Sequence, residues 1–247
     1  NIRKEDTLMK RTESKLFEFE VSGDYAMFAD PMTKAGGERL SFQVPTYEAI
    51  KGILHSIYWK PTLTWIVHSV RVMNRIQTET LGIKNMVYSG GNDLSFNTYL
   101  RKVRYQVRAF YVWNMNRPEY EVDRIFGKHD AIIERMIRAG GRRDVFLGSR
   151  ECQGYVEPAA FGEGKGYYDS SGKRLFGFMY HGVTYPDEAL LEEDKGMMSV
   201  RFWSCYMDNG VISFPKPEDC PEKRHLKKME MKNFHAMEGS GVCELDS

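Results

Sequence analysis

Between Val103 and Trp113 the chain reads V-R-Y-Q-V-R-A-F-Y-V-W. Val103, Tyr105, Val107 and Ala109 fall on one side of a two-residue period; Arg104, Gln106 and Arg108 fall on the other. A half-buried strand satisfies that period, and such a strand needs partners at its edges and a layer over its apolar face. One partner lies upstream, where Leu16–Val21 (L-F-E-F-E-V) alternates apolar and acidic side chains. A covering layer follows. Thr46, after Pro45, has N-cap chemistry, and Ile50, Ile53, Leu54 and Ile57 recur at i, i+3, i+4 and i+7 before Pro61 stops the helix.

The rest of the chain fills in the same pattern. Leu63–Met73 is rich in β-branched residues and reads as a strand, and 74–102, around Gly90-Gly91-Asn92, as a long loop or an excursion hairpin. Asp130 is expected to cap a second helix with Ile132, Ile133, Met136 and Ile137 on one face, which Gly140 and Gly141 end. Cys152–Val156 reads as a short strand. The order β-α-β-β-α-β predicts an α+β chain whose residues 16–162 form a ferredoxin-like domain, the arrangement also used by RNA-recognition (RRM-like) modules. After Gly162 glycines punctuate a loop, Leu175–His181 and Met198–Tyr206 read as strands, and Asp208-Asn209-Gly210 gives a hairpin turn into Val211–Phe214. Residues 163–247 are therefore expected to form a small antiparallel β domain with a polar, fraying tail.

Composition excludes several classes. The 247 residues carry 35 Lys and Arg against 34 Asp and Glu, with 42% apolar and 28% charged residues, which is globular and argues against disorder. There is no run of about 18 apolar residues that would span a membrane. The first 15 residues are too charged for a secretory signal. They begin at Asn1 rather than Met, as a trimmed end would. Cys152, Cys205, Cys220 and Cys243 form no C-x-x-C pair, so reduced thiols in a cytoplasmic protein are expected, with no zinc site.

Charge distribution says more than net charge. Residues 101–150 hold 12 Lys and Arg, ten of them Arg, against 6 Asp and Glu, leaving −5 for the other 197 residues. Arginine's planar fork suits phosphate, so this basic central stretch points to nucleic acid. The five carboxylates between Asp187 and Asp194 meet no base and have no assigned role.

The sequence has no H-E-x-x-H, no G-x-S-x-G and no G-x-x-x-x-G-K-[ST] motif, so no metal, serine-hydrolase or ATP chemistry is expected and no cofactor is implied. Lys128-His129 is read as a loop pair ahead of the second helix, a proton carrier beside a charge that can stabilise a phosphorane. Tyr47 with Lys51 at a helix start can meet a phosphate, although a half-buried aromatic is the plainer reading. Arg142, Arg143 and Arg150 sit in a glycine-rich loop where a phosphate backbone can lie, and a salt-bridged turn is its plainer reading.

These residues say more together. V-P-T-Y-E-A-I-K-G-I (44–53), G-K-H (127–129) and A-G-G-R-R-D-V-F-L-G-S-R-E-C-Q-G-Y-V (139–156) resemble, in order and spacing, the CRISPR-associated Cas-five family in its type I-C (Dvulg) form. So do G-D-Y-A-M-F-A-D-P-M-T-K-A-G-G-E (23–38), R-F-W-S (201–204) and F-P-K-P-E-D-C-P (214–221). The resemblance implies a ferredoxin-like domain of the RAMP superfamily and a small β domain. It implies an endoribonuclease that cuts the repeat hairpin of a CRISPR precursor RNA and stays on the guide within the interference complex. It implies a catalytic tyrosine, lysine and histidine, matched here to Tyr47, Lys128 and His129. On that basis the 2′-hydroxyl attacks the scissile phosphate and leaves a 2′,3′-cyclic phosphate and a 5′-hydroxyl, without a metal. His129 is expected to protonate the leaving oxygen, Lys128 to stabilise the phosphorane and Tyr47 to orient the 2′-hydroxyl. Lys51, Arg104, Arg108, Arg117, Gly140, Gly141, Arg142, Arg143 and Arg150 are the expected RNA contacts. The chain is expected to be a monomer when isolated. A non-catalytic subunit that holds the guide's 5′ end is the competing reading; a metal-dependent DNase or a small-molecule enzyme is weaker.

Overall fold

The computed structural model describes residues 13–34, 38–86 and 90–231. The start at Asn1, Cys243 and the polar tail beyond 231 lie outside the described residues. The strands are β1 (Phe17–Ala26), β2 (Arg39–Leu40), β3 (Leu63–Val72), β4 (Thr78–Met86), β5 (Asn92–Trp113), β6 (Val145–Phe146), β7 (Gln153–Pro158), β8 (Lys173–Thr184), β9 (Met197–Asp208), β10 (Val211–Ser213) and β11 (Glu222–Lys228). The helices are α1 (Pro31–Lys34), α2 (Tyr47–Ile57) and α3 (Phe126–Arg138). The sheet runs β11-β9-β10-β3-β5-β1-β7-β6, with β2 and β4 also on β5 and β8 on β9.

The alternating strand is the centre of this sheet. The second half of β5 lies between β1 and β3, antiparallel to both. Val103, Tyr105, Val107 and Ala109 are buried as the period requires. Its first half forms a hairpin with β4, so the excursion is a hairpin. Lys102, with φ 48°, marks the changeover in a left-handed conformation rare outside glycine.

Thr46 caps α2 as expected, its hydroxyl accepting from the Ala49 N–H at 3.2 Å. Ile50, Ile53, Leu54 and Ile57 all join the core, with Ile133 and Ile137 of α3. The start of α3 differs from expectation. The helix begins at Phe126, and its cap, Ile125, offers no side-chain bond. Asp130 lies inside the helix and accepts the Tyr111 hydroxyl at 2.8 Å. Phe126 packs on Trp113, with ring centroids 4.5 Å apart, so aromatic contact starts the helix where local capping chemistry is absent.

The other sheet face is not open to solvent throughout. Gln106 is buried and donates to the Glu163 carbonyl at 2.8 Å. Arg71 forks onto Asp169 at 2.8 Å and donates to the carbonyls of Glu163 and Gly164, pinning the glycine-rich loop after β7 against the sheet.

The strands after 163 continue the same sheet. Asn209 and Gly210 have φ of 46° and 82°, the sign that a two-residue hairpin turn demands at both positions, and β10 then pairs with β3. The polar end is ordered further along than its composition suggests, because Glu222–Lys228 pairs with β9. Cys152, Cys205 and Cys220 are free thiols. No helix among the described residues is long and apolar enough to cross a membrane.

Candidate active site

Lys128 and His129 lie within the first turns of α3 rather than in a loop before it. The His129 ring is fully buried, tilted against Tyr58 and edge-on to Tyr111 and Trp113. Its Nε2 is 2.7 Å from the Asp123 backbone carbonyl. A carbonyl only accepts, so Nε2 carries the hydrogen, and Nδ1 accepts the Tyr58 hydroxyl at 2.8 Å. The Asp123 carboxylate lies 3.5 Å from Nε2, accepts the Thr62 hydroxyl at 2.9 Å and pairs with Lys128. Burial acts to raise the Asp123 pKa, but the bonds from Lys128 and Thr62 and the charge of Lys60 outweigh it and hold the carboxyl below its usual range. The Lys128 side chain stays 46% exposed.

Tyr58 joins this cluster to the basic loop. It follows the last turn of α2 in an extended conformation and is 3% exposed. Burial and the Asp123 charge push its hydroxyl up to about 12, with Arg142 opposing. Gly140 and Gly141, with φ of 82° and 115°, turn the chain after α3. The N–H groups of Arg142 and Arg143 then both donate to the Ser56 carbonyl at 3.1 Å, which seats the loop on the end of α2 beside Tyr58. A Cβ on Gly141 would stand 3.0 Å from the Arg143 carbonyl oxygen. Arg142, Arg143 and Arg150 are exposed and make no ion pair among the described residues.

Ser56 also lines an open groove of about 710 Å³ along the outer face of α2, walled by Met27–Pro31, Phe146, Gly148, Ser149 and Tyr180.

Other expected site residues lie elsewhere. Tyr47 is buried, stacked on His181 with centroids 4.2 Å apart. Its hydroxyl faces the backbone of β3, 3.4 Å from Val67 N and 3.5 Å from Trp65 O, and burial raises its pKa. Eleven positions of helix, about 16 Å of rise, separate it from Tyr58. Tyr47 therefore does not reach His129; Tyr58 does. Sequence reading missed Tyr58 because it directly follows the apolar stripe ending at Ile57 and reads as one more core aromatic. The one signal in the sequence was its place past the last helical turn, three residues before Pro61, where a side chain leaves the helix face.

Lys51 is buried between Glu188 and Glu48, not free for RNA. Burial acts to lower its pKa, but the Glu188 and Glu48 charges prevail and raise it. Arg117 is buried and pairs with Asp187 and, at 3.5 Å, with Glu119. The acidic stretch 187–194 thus has a role: it neutralises internal cations, including Lys223 through Glu193 and Asp194. Arg104 and Arg108 pair with Glu20 and Glu18 across β1. Much of this basic stretch is balanced internally, while Arg142, Arg143 and Arg150 make no ion pair among the described residues.

Comparison with known proteins places the chain in a family. Residues 16–215 match the family model of the CRISPR-associated protein Cas5, in its Cas5d form. The "CRISPR pre-crRNA endoribonuclease Cas5d" of Thermus thermophilus is 30% identical over 148 residues, 56% of this chain and 62% of that protein. The protein of the same name from Mannheimia succiniciproducens is 41% identical over 61 residues, 25% of this chain and 26% of that protein. The chain thus matches less than two thirds of the length of either curated relative. A crystal structure described as a CRISPR-associated protein superposes with a TM-score of 0.72 at 38% identity, covering 86% of this chain and 97% of that one. A functionally uncharacterized protein of Streptococcus mutans superposes with a TM-score of 0.69 at 35% identity, over 86% and 98%. With four fifths of its length matched by the family model and two solved structures sharing its fold at above 30% identity, the chain belongs to the CRISPR-associated Cas5 family.

Proposed function

We propose that the protein is a metal-independent endoribonuclease that cuts the repeat hairpin of a CRISPR precursor transcript and keeps the guide RNA it makes. The observation that carries this reading is the Tyr58–His129 hydrogen bond of 2.8 Å, set beside Lys128 and under the exposed Arg142–Arg143 loop. Two relatives named as pre-crRNA endoribonucleases support it. The order β3-β5-β1-β7, with α2 after β1 and α3 after β5, supports a ferredoxin-like unit over 16–162; the antiparallel pairing of β8, β9 and β11 supports a small β unit beginning at 163, of which 163–231 are described.

In this reading the reaction balances without a further reactant. The 2′-oxygen bonds to phosphorus and the P–O5′ bond breaks. One proton leaves the 2′-hydroxyl and one reaches the 5′-oxygen. Tyr58 stays protonated at neutral pH, so it relays rather than abstracts: it gives its proton to His129 Nδ1 as it takes that of the 2′-hydroxyl. The Asp123 carboxylate stabilises the imidazolium, and the proton returns through Tyr58 to the leaving oxygen. Lys128 is placed to stabilise the phosphorane. The protein would act in the cytoplasm, as a monomer until it joins the other subunits of a type I-C complex.

One observation favours the non-catalytic alternative, a cap for the guide's 5′ end: His129 has no exposed surface of its own. The test is incubation with the repeat hairpin in excess EDTA, beside a copy with a 2′-deoxy at the scissile nucleotide. Cleavage of the first alone is expected. Tight binding without cleavage of either overturns the nuclease reading in favour of the cap.

A further inference from the structure

The outer face of β8 and β9 carries aromatic rings where a solvated sheet would carry polar groups. In register, Leu175 lies opposite Tyr206, Phe178 opposite Ser204 and Tyr180 opposite Phe202. The inward residues Arg201, Trp203, Cys205 and Met207 are buried, which turns the alternate set outwards. Phe178 is 63% exposed and lies parallel to Phe202, with centroids 5.4 Å apart and planes 17° apart. The Lys173 ammonium sits 4.1 Å from the centre of the Tyr206 ring. Beside these rings, the edge strand β11 presents on the same face Arg224, opposite Val200, and Lys227, opposite Met198, both exposed and without an ion pair among the described residues, with Glu222 opposite Phe202.

Exposed flat rings bordered by unpaired cations are the chemistry of a single-stranded nucleic acid site, in which bases stack and phosphates lie along the charges. The place of Tyr180 fits. It belongs to this face, edge-on to Phe202 at 6.3 Å, and also lines the groove that runs along α2 to Ser56 and the arginine loop.

We propose that this face, through Phe178, Phe202 and Tyr206 with Arg224 and Lys227, is a stacking platform for unpaired nucleotides that flank the RNA stem held at the arginine loop. The proposal rests on the RNA-binding reading above and adds a second contact region reached through the groove. It makes a part of affinity depend on unpaired nucleotides and not on the stem.

The test compares two RNA probes on the full chain: a repeat stem–loop with unpaired flanks, and the same stem–loop trimmed to its duplex. Phe178→Ala changes an exposed ring and should fold as the wild type does. It should weaken binding of the flanked RNA by roughly 5- to 150-fold, the range for loss of one stacked base. Binding of the trimmed stem and the rate of cleavage at saturating RNA should not change, and Phe178→Trp should restore affinity. Arg224→Ala/Lys227→Ala should lower the salt dependence for the flanked RNA alone. Unchanged affinity of Phe178→Ala for the flanked RNA overturns the platform while leaving the nuclease reading intact; recovery of a protein subunit that binds the wild type and not Phe178→Ala would then assign the face to a protein partner. A wild-type chain that binds neither probe overturns both readings.

Discussion

Tyr58 and Tyr47 stand at the two ends of one helix, and of the two only Tyr58 hydrogen-bonds His129. Tyr58→Phe removes the donor to Nδ1 and should slow single-turnover cleavage by roughly 10²-fold or more, while RNA affinity stays near wild type. His129→Ala should do the same. Tyr47→Phe removes only long contacts to the β3 backbone, at 3.4 and 3.5 Å, and should leave cleavage near the wild-type rate. A slow Tyr47→Phe enzyme beside a normal Tyr58→Phe enzyme would return the catalytic role to Tyr47. The adjacency of Lys128 and His129 was readable from the chain, a proton carrier beside a cation. Which tyrosine hydrogen-bonds His129 was not, because both Tyr47 and Tyr58 read as core aromatics.

At the level of elements, α2 links two different electrostatic settings. Its N-terminal half is tied through Lys51 to Glu188, and its C-terminal end holds the arginine loop through Ser56. Lys51→Ala strands Glu188 and should cost about 3 kcal/mol of stability, read in urea unfolding, because a broken buried pair leaves an uncompensated charge. It should not change the salt dependence of RNA binding. Arg142→Ala/Arg143→Ala should do the reverse: stability holds, and the slope of log affinity against log salt falls by roughly one unit per arginine. If Lys51→Ala lowers the salt slope and the double arginine variant does not, the assignment of RNA contacts to the loop fails. The periodic elements were legible from residue spacing alone, as Ile50, Ile53, Leu54 and Ile57 show. The start of α3 was not, because a ring contact between Phe126 and Trp113 replaced the local cap that sequence rules look for.

Across the whole molecule, two histidines are held neutral by burial. Desolvation, with a cation nearby, lowers His55 to about 4 and His181 to about 3, from an ordinary 6.5. Below pH 6.5 the unfolded chain takes up protons that the folded chain refuses, so stability is full above that pH and falls as pH drops. Each histidine contributes up to about 1.4 kcal/mol per pH unit over its window. Urea unfolding between pH 7 and pH 5 should show this slope, and His55→Gln should remove its share; an identical slope in the variant would mean that His55 is protonated in the folded state. The sheet joins these regions, since β10 carries the last strands onto β3 and the 163–231 segment shares the core through Trp203, Met207 and Ile212. By itself the sequence determined the long alternating strands β1, β3, the second half of β5, β8 and β9, the bodies of the two main helices, the hairpin turn at Asn209-Gly210 and the presence of a basic loop, because each is a local matter of period, cap or φ preference. Only the tertiary structure decided that Lys51 and Arg117 are spent on the acidic 187–194 stretch, that Arg142 and Arg143 make no ion pair among the described residues, and that His129 faces Tyr58. Those are long-range pairings between segments 70 or more positions apart, and periodicity carries no information about which distant side chain a buried charge or ring will meet.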